Sequence, residues 1–259
     1  MTKLIIHLNK SIEENASEYY EKAKKIKKKI TGAEKALEQS KKIFEELQNR
    51  IKQENEGKEA PIKRKKEWYE KFRWFKSSEG FLVIGGRDAT SNEIVIKKHT
   101  EKNDLVFHTD IAGSPFLVIK SGNKKVGEPT IKEAADATCS YSKAWKLGLA
   151  TTSVFYALPE QVSKKTKAGE YMNKGSFMIY GKVNYVESKI NLAIGATEDE
   201  KIMGGPLKAI EAHCKKYVEL LQGNEKASDA AKYIRHKIGG SLDEIVRALP
   251  GGGCKVKKD

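Results

Sequence analysis

From Ile12 to Ile51 apolar and small side chains recur at Ile12, Ala16, Tyr19, Ala23, Ile26, Ile30, Ala33, Leu37, Phe44, Leu47 and Ile51, three or four residues apart and interrupted only at Ser40. Within this stretch glycine occurs once, at Gly32, and proline not at all. Such spacing writes a heptad seam on one helix of about 40 residues, roughly 60 Å long at 1.5 Å per residue. A helix of that length cannot bury its own stripe, so it needs a partner helix. Lys24, Lys25, Lys27, Lys28 and Lys29 crowd the outer face, the usual character of a solvated helix surface.

The polar, acidic run Gln53 to Ala60, with Gly57, reads as a hinge before Pro61. Beyond Trp68 the pattern changes to short alternating elements. Strands are expected over 73–76, 81–84, 104–107, 116–120, 152–157, 176–186 and 190–195, and helices over 89–98, 130–147, 206–214, 228–237 and 241–248. Pro129 and Pro206 stand at helix starts, where the missing N–H costs nothing. The fold class is therefore α+β: a long N-terminal coiled-coil helix followed by a mixed, mainly antiparallel sheet domain with flanking helices. The expected division is a coiled-coil arm over residues 1–60 and a second domain over 61–259 that ends in a helical extension.

With 259 residues, a formal net charge of +14 and a sequence pI of about 9.4, the chain favours a polyanionic partner. Nucleic acid comes ahead of membrane, because no apolar run reaches the roughly 18 residues needed to span a bilayer. Leu4-Ile5-Ile6 is far too short for a secretory apolar segment. Cys139, Cys214 and Cys254 are odd in number and widely spaced, against both a disulfide framework and a zinc site. A cytoplasmic location is expected.

The densest local signal is Ile84 to Lys97, IGGRDATSNEIVIK. The run 81–84 has the β-branched content of a buried strand, and Gly85-Gly86 is expected to end it by backbone angles closed to other residues. Asp88 is placed to cap the following helix, with Asn92 and Glu93 in its first turns, near the free N–H groups that attract anions. Arg87 and Asp88 fit either a braced turn or, for Arg87, a phosphate contact. His108 and Asp110 lie two apart at a strand end and share a face, which suits a His–carboxylate brace. A metal site would need a third ligand, and His7, His99, His213 and His236 offer no HxH or HxxxH spacing. Gly85-Gly86 also lacks the length and the lysine of a phosphate-cradling loop. No metal and no cofactor are expected. The loop 162–174, with Ser163, Lys164, Lys165, Thr166, Lys167, Tyr171 and Lys174, mixes lysines, hydroxyls and an aromatic, as phosphate contact with base or ribose stacking requires, although a plain solvated loop has the same composition. Trp68 and Trp145 read as core.

These blocks resemble the NEMF/RqcH (fibronectin-binding-protein-A-like) family of ribosome-associated quality-control proteins. The stretch 11–20, SIEENASEYY, is similar to the start of the family's returning coiled-coil arm, and residues 68–98, from the WYEKFRWFKSSEG run through IGGRDATSNEIVIKK, are similar to the entry into its RNA-binding module, NFACT-R. His108 and Asp110, Gly113-Ser114, CSYSKAW over 139–145, PEQVSK over 159–164, GEY over 169–171 and GSFMIYGK over 175–182 follow in family order. After Gly195 the resemblance is to the archaeal branch, clearest in DAAKYIRHKIGGSLDEIVRALPGG. Where the family usually has Arg before Ala-Trp this chain has Lys143, which exchanges a planar fork for a point charge. Met1 to Asn9 resembles the end of the family's middle region, so the large N-terminal domain and the outgoing arm are expected to lie outside this sequence.

The resemblance implies a non-enzymatic, RNA-binding adaptor that engages tRNA and rRNA of the large ribosomal subunit carrying stalled nascent chains, with Arg87, Asn92, His108, Lys143, Ser163, Lys164, Lys165, Lys167, Tyr171 and Lys174 as RNA-contacting residues and Gly85, Gly86, Asp88 and Asp110 as the structural motif. The arm is expected to meet ribosomal proteins or other factors, or to pair weakly with a second copy, its lysine-rich first half against the stretch with Glu34, Glu38, Glu45 and Glu46. Two alternatives belong to other classes. A nucleic-acid-modifying enzyme would bring His108, Asp110 and Glu93 together in one pocket. A coiled-coil interaction module would leave the basic residues scattered.

Overall fold

The computed structural model describes residues 5–55, 66–164 and 172–257. The chain divides into two compact units, Met1–Lys65 and Lys66–Asp259. In the first, helix α1 (Ile12–Asn55) runs for 44 residues. It starts where it does because Ser11 and Glu14 form a reciprocal cap: Glu14 N–H donates to Ser11 Oγ at 3.1 Å and Ser11 N–H donates to Glu14 Oε2 at 2.8 Å. The preceding chain folds back on the first turns. Asn15, the buried polar residue there, accepts from His7 N and donates to the carbonyls of His7 and Ser11, while Tyr19 Oη exchanges hydrogen bonds with the backbone of Ile5. The seam is open: Ile26, Ile30, Leu37, Phe44 and Leu47 are each at least half exposed.

The second unit is built on three antiparallel sheets. Strands β1 (Arg73–Lys76), β2 (Leu82–Gly85), β3 (Leu105–Thr109), β4 (Leu117–Lys120), β5 (Val154–Ala157) and β8 (Asn184–Val186) form a six-stranded sheet in the order β1-β2-β4-β3-β5-β8. Between them in sequence lies a two-stranded ribbon, β6 (Val162–Ser163) with β7 (Met178–Ile179). A four-stranded sheet follows in the order β10-β9-β11-β12, from β9 (Leu192–Thr197), β10 (Ile202–Gly205), β11 (Cys214–Glu225) and β12 (Cys254–Val256). Every strand pairing among the described residues is antiparallel. Helix α2 (Ala89–His99) lies on β2, and α5 (Leu207–His213), α6 (Ala227–Ile238) and α7 (Leu242–Ala248) flank the second sheet.

Helix α3 (Glu128–Tyr141) occupies the centre, packed on β3, β4 and β5 of the large sheet and on β9 of the smaller one. Ten of its fourteen residues are buried, so it carries small side chains, AADATCS, that let strands approach on more than one side. Its polar residues are satisfied where they stand. Thr138 and Ser140 donate to the carbonyls one turn back, Asp136 accepts from Lys189 N and Asn191 Nδ2, and Glu133 accepts from Ser78 N.

Several sequence expectations change here. The single helix expected over 130–147 is two, α3 and α4 (Lys143–Leu147): Ser142 turns extended, donates to Cys139 O at 2.7 Å to close the first and accepts from Ala144 N at 3.0 Å to cap the second. The strand expected over 176–186 is broken into β7 and β8 by Gly181, whose φ of +81° reverses the chain. Strands β10, β11 and β12 were not expected. The 12-residue β11 hides in sequence because its inward Val218 and Leu220 are followed by outward Leu221, which blurs the period of two. Gly85 and Gly86 do not adopt positive φ; Gly85 lies in β2, and both are required for space rather than for backbone angle. Trp145 is core at 1% exposure, but Trp68 is 43% exposed and stacks flat on His99 at 4.5 Å, covering the end of α2. No helix among the described residues is long and apolar enough to cross a membrane.

Trp145 is a test of this packing, since its Nε1 also donates to Gly253 O at 2.9 Å and so holds the entry to β12. Trp145→Ala is expected to cost about 3–5 kcal/mol, read as a lower urea midpoint. Trp145→Phe, which keeps most of the ring and loses the hydrogen bond, should cost markedly less.

Candidate nucleic-acid interface

The site is assembled from turns at one end of the six-stranded sheet. After β2 the chain passes through Gly86 and Arg87 into the cap of α2. Asp88 Oδ1 accepts from Ser91 N at 2.8 Å, and Ser91 Oγ accepts from the N–H groups of Arg87 and Asp88 at 2.8 and 2.9 Å. These hydrogen bonds hold the Asp88 carboxyl below the usual carboxylate range. With its backbone fixed in this way, the Arg87 side chain projects exposed and makes no ion pair among the described residues.

Asn92, one turn into α2, accepts from Phe116 N through Oδ1 at 3.2 Å, while Gly86 N–H donates to Phe116 O at 3.1 Å. A methyl group on Gly86 would run into the Asn92 amide, so glycine is what lets turn, helix and β4 entry meet. Gly175 has the same role across the site: its φ is +78°, and a Cβ there would collide with the backbone of Ala89. The segment after the lysine loop is thereby set against the start of α2.

His108 lies at the end of β3, opposite Phe155 of β5, which is itself opposite Tyr185 of β8. Its ring stacks on Phe116 at 4.2 Å, and Nε2 lies 3.2 Å from Ser114 O. A carbonyl only accepts, so Nε2 carries the proton. Burial pushes the imidazole pKa down from its ordinary 6.5. The partner of His108 is therefore Ser114 and not Asp110. The latter is exposed, and its Oδ1 accepts from Tyr185 Oη at 3.3 Å.

These elements enclose a cleft of about 620 Å³. Of the sequence-expected residues, Arg87, Asn92, His108, Lys143, Lys174, Gly86 and Asp88 line it. Lys143 reaches it by lying across Gly113, its Cε within 3.0 Å of where a Cβ would stand. The lining also includes Arg73, Lys146, Phe116 and Phe177, which sequence reasoning missed. Lys146 was within reach, three residues from Lys143 on α4 and so on the same side of the helix. Arg73 was not, because only the tertiary fold brings its guanidinium to the turn before α2 and to Tyr141 at the end of α3.

Ser163, Lys164, Gly85 and Asp110 do not line the cleft. Lys164 serves its wall instead: Nζ lies 3.6 Å from Glu93 Oε2, donates to Asn173 O at 3.3 Å and sits 5.0 Å from the centre of the Phe177 ring. Lys165, Lys167 and Tyr171 lie outside the described residues. Arg73, Arg87, Lys143, Lys146 and Lys174 thus stand against one lining carboxylate, Asp88, which is occupied in its cap.

The acid–base grouping of His108, Asp110 and Glu93 does not form. Only His108 lines the cleft, and Glu93 is bound by Lys97 at 2.6 Å and by Lys164, which lower its pKa rather than raise it. No group of three potential metal ligands is found among the described residues.

Fold and cleft together define a basic α+β domain with a carboxylate-poor recess, the electrostatic form of a polyanion-binding module. Residues 71–181 match the NFACT protein RNA binding domain, and that span holds all of the cleft except the glycines of the 251–252 turn. The chain is 41% identical over 198 residues to the archaeal Rqc2 homolog aRqcH of Methanocaldococcus jannaschii, covering 74% of this chain and 29% of the relative. It is 42% identical over 122 residues to the ribosome quality control complex subunit NEMF homolog of Drosophila melanogaster (47% of this chain, 12% of the relative) and 43% identical over 123 residues to human NEMF (46% and 11%). Residues 71–181 are thus similar to the NFACT-R domain, and the chain spans less than a third of each of these relatives.

The state of His108 gives a pH test. Because the folded pKa is depressed, the unfolded chain binds the extra proton once pH falls below about 6.5; the contribution of neutral His108 to stability is whole above that value and declines below it, through the folded pKa. In an NMR titration the His108 ring should change protonation below 6.5, and a midpoint at or above 6.5 would contradict the buried, Ser114-bound geometry.

Proposed function

We propose that this chain is the RNA-contacting part of a ribosome-associated quality-control factor, non-enzymatic, that binds tRNA or rRNA of the large ribosomal subunit through the cleft between α2, α4 and the 172–177 segment. The observation that carries this reading is the cluster of Arg87, Lys143, Lys146 and Lys174, exposed and free of ion pairs among the described residues, within the span that matches the RNA-binding domain. Cations that the protein leaves unneutralised are the ones a phosphate backbone can claim, with release of condensed counterions. The open seam of α1 supplies a second contact, to a partner helix from a ribosomal protein, another factor or a second copy of the arm. A cytoplasmic location follows from the ribosomal role.

Four phosphates held by these four cations give a slope of about −3 to −4 in log K against log salt. Titrating a tRNA between low and moderate salt should show it. The double variant Lys143→Ala, Lys146→Ala should flatten the slope by about two while leaving thermal unfolding nearly unchanged, as surface substitutions do. Binding that is flat with salt, or absent at low salt, would overturn the reading.

A further inference from the structure

Contact with a duplex backbone needs only a basic surface, since its phosphates lie outermost. The cleft is more than that: about 620 Å³, in the roughly 300–1,000 Å³ range of sites that enclose a small ligand. Its wall is aromatic. Phe177 meets Phe116 edge-on at 5.4 Å and 82°, and His108 stacks on the same Phe116 ring at 4.2 Å. Phe177 packs against the core on one side and stays half-buried at the cleft, with Lys164 over its ring and the Gly175 contact with Ala89 just before it. Polar groups of the right kind sit beside this wall. Asn92 has its Oδ1 taken by Phe116 N and retains its amide N–H donors, and His108 is an uncharged ring at neutral pH, suited to stacking rather than to ion pairing. Aromatic and imidazole faces next to amide donors, under a rim of unpaired cations, are what recognises a splayed-out nucleotide.

We propose that the cleft takes one unpaired nucleotide, its base packed on Phe177 and His108, which the buried Phe116 backs, and its phosphate on Arg87 and Lys143. This rests on the RNA-binding reading and narrows it from a backbone-tracking surface to a site for an extrahelical residue of a structured RNA, with a free nucleotide as the other source of the same chemistry.

The test compares three ligands on the whole chain at one salt concentration: a fully paired RNA hairpin, the same hairpin with a single bulged 2-aminopurine, and adenosine monophosphate. The bulged hairpin should bind about tenfold more tightly than the paired one, the order expected of one base–aromatic stack, and its 2-aminopurine fluorescence should be quenched on binding. Phe177→Ala should abolish the preference and the quenching, Phe177→Tyr should keep both, and the salt slope for the paired hairpin should be the same in all three proteins. The quenching in the unaltered protein stands as a readout even if Phe177→Ala fails to fold. Equal, salt-dependent binding of both hairpins without quenching overturns the nucleotide site and leaves the RNA-binding reading standing. Binding of neither hairpin at low salt overturns both. Adenosine monophosphate binding as tightly as the bulged hairpin makes the occupant a free nucleotide and overturns the extrahelical assignment.

Discussion

The second unit turns on one guanidinium. Arg73 leaves β1 beneath the cleft, donates from one terminal nitrogen to Gly86 O at 3.2 Å and from the other to Leu249 O at 3.3 Å, and lies 4.5 Å from the centre of the Tyr141 ring. Tyr141 Oη in turn donates to Ala248 O at 2.9 Å. Four segments distant in sequence are joined there: the first strand, the turn before α2, the last residue of α3 and the chain leaving α7. Taking a guanidinium out of water is costly, and no carboxylate among the described residues pairs with it. Two carbonyls and an aromatic face offset the loss, which suits the weakly hydrated, planar arginine better than the ammonium of lysine. Its Nε is left buried with no hydrogen-bond partner, and desolvation pulls its pKa down while burial pushes the Tyr141 phenol up. A carboxylate would have neutralised the charge; carbonyl acceptors leave it in place, so the floor of the cleft is positive by construction.

The walls follow from the same economy of space. Gly86 lets α2 close on the entry to β4, Gly175 lets the far wall close on Ala89, and Gly113 lets the stem of Lys143 lie along the loop after β3. At Gly175 a side chain would hold two backbones apart, at Gly86 it would displace the Asn92 amide, and at Gly113 it would only push on the flexible end of Lys143. Lys164 belongs to this framework too, because its bonds to Glu93 and Asn173 fix Phe177 where a ligand would meet it. A lysine in a basic loop can thus serve by supporting the wall rather than by facing the cleft.

Much of this was legible in the sequence, and the reason differs from element to element. The long helix was written in its seam, a local signal; its Ser11–Glu14 cap was recognised only in the structure. The cap at Asp88 was readable because capping depends on residues three apart, and Arg87 because charge next to a turn implies exposure, whereas Lys143 was singled out only through the family resemblance. What failed depends on tertiary partners. Gly86 looked like a conformational device and is a spacer for Asn92; His108 and Asp110 looked like a pair and have Ser114 and Tyr185 instead; Trp68 looked like core and covers a helix end. Ser142, ordinary in sequence, divides two helices because its hydroxyl serves both. The aromatic wall left no periodic trace, since Phe116 and Phe177 meet only after sixty intervening residues have folded.

Net charge shows the same limit most plainly. A value of +14 says that the chain seeks anions and nothing about where. In the fold many lysines are already answered: Lys97 by Glu93, Lys120 by buried Asp104 at 2.5 Å, Lys215 by Glu198, Lys257 by Glu219. The exposed pairs among these add little stability, commonly below about 1 kcal/mol, but all of them cancel field. The cations around the cleft are distinguished by having no such partner among the described residues, and they stand over a recess whose low-dielectric walls concentrate what field remains. Function in a basic protein of this kind therefore resides less in how many lysines it has than in which ones the fold leaves without a carboxylate.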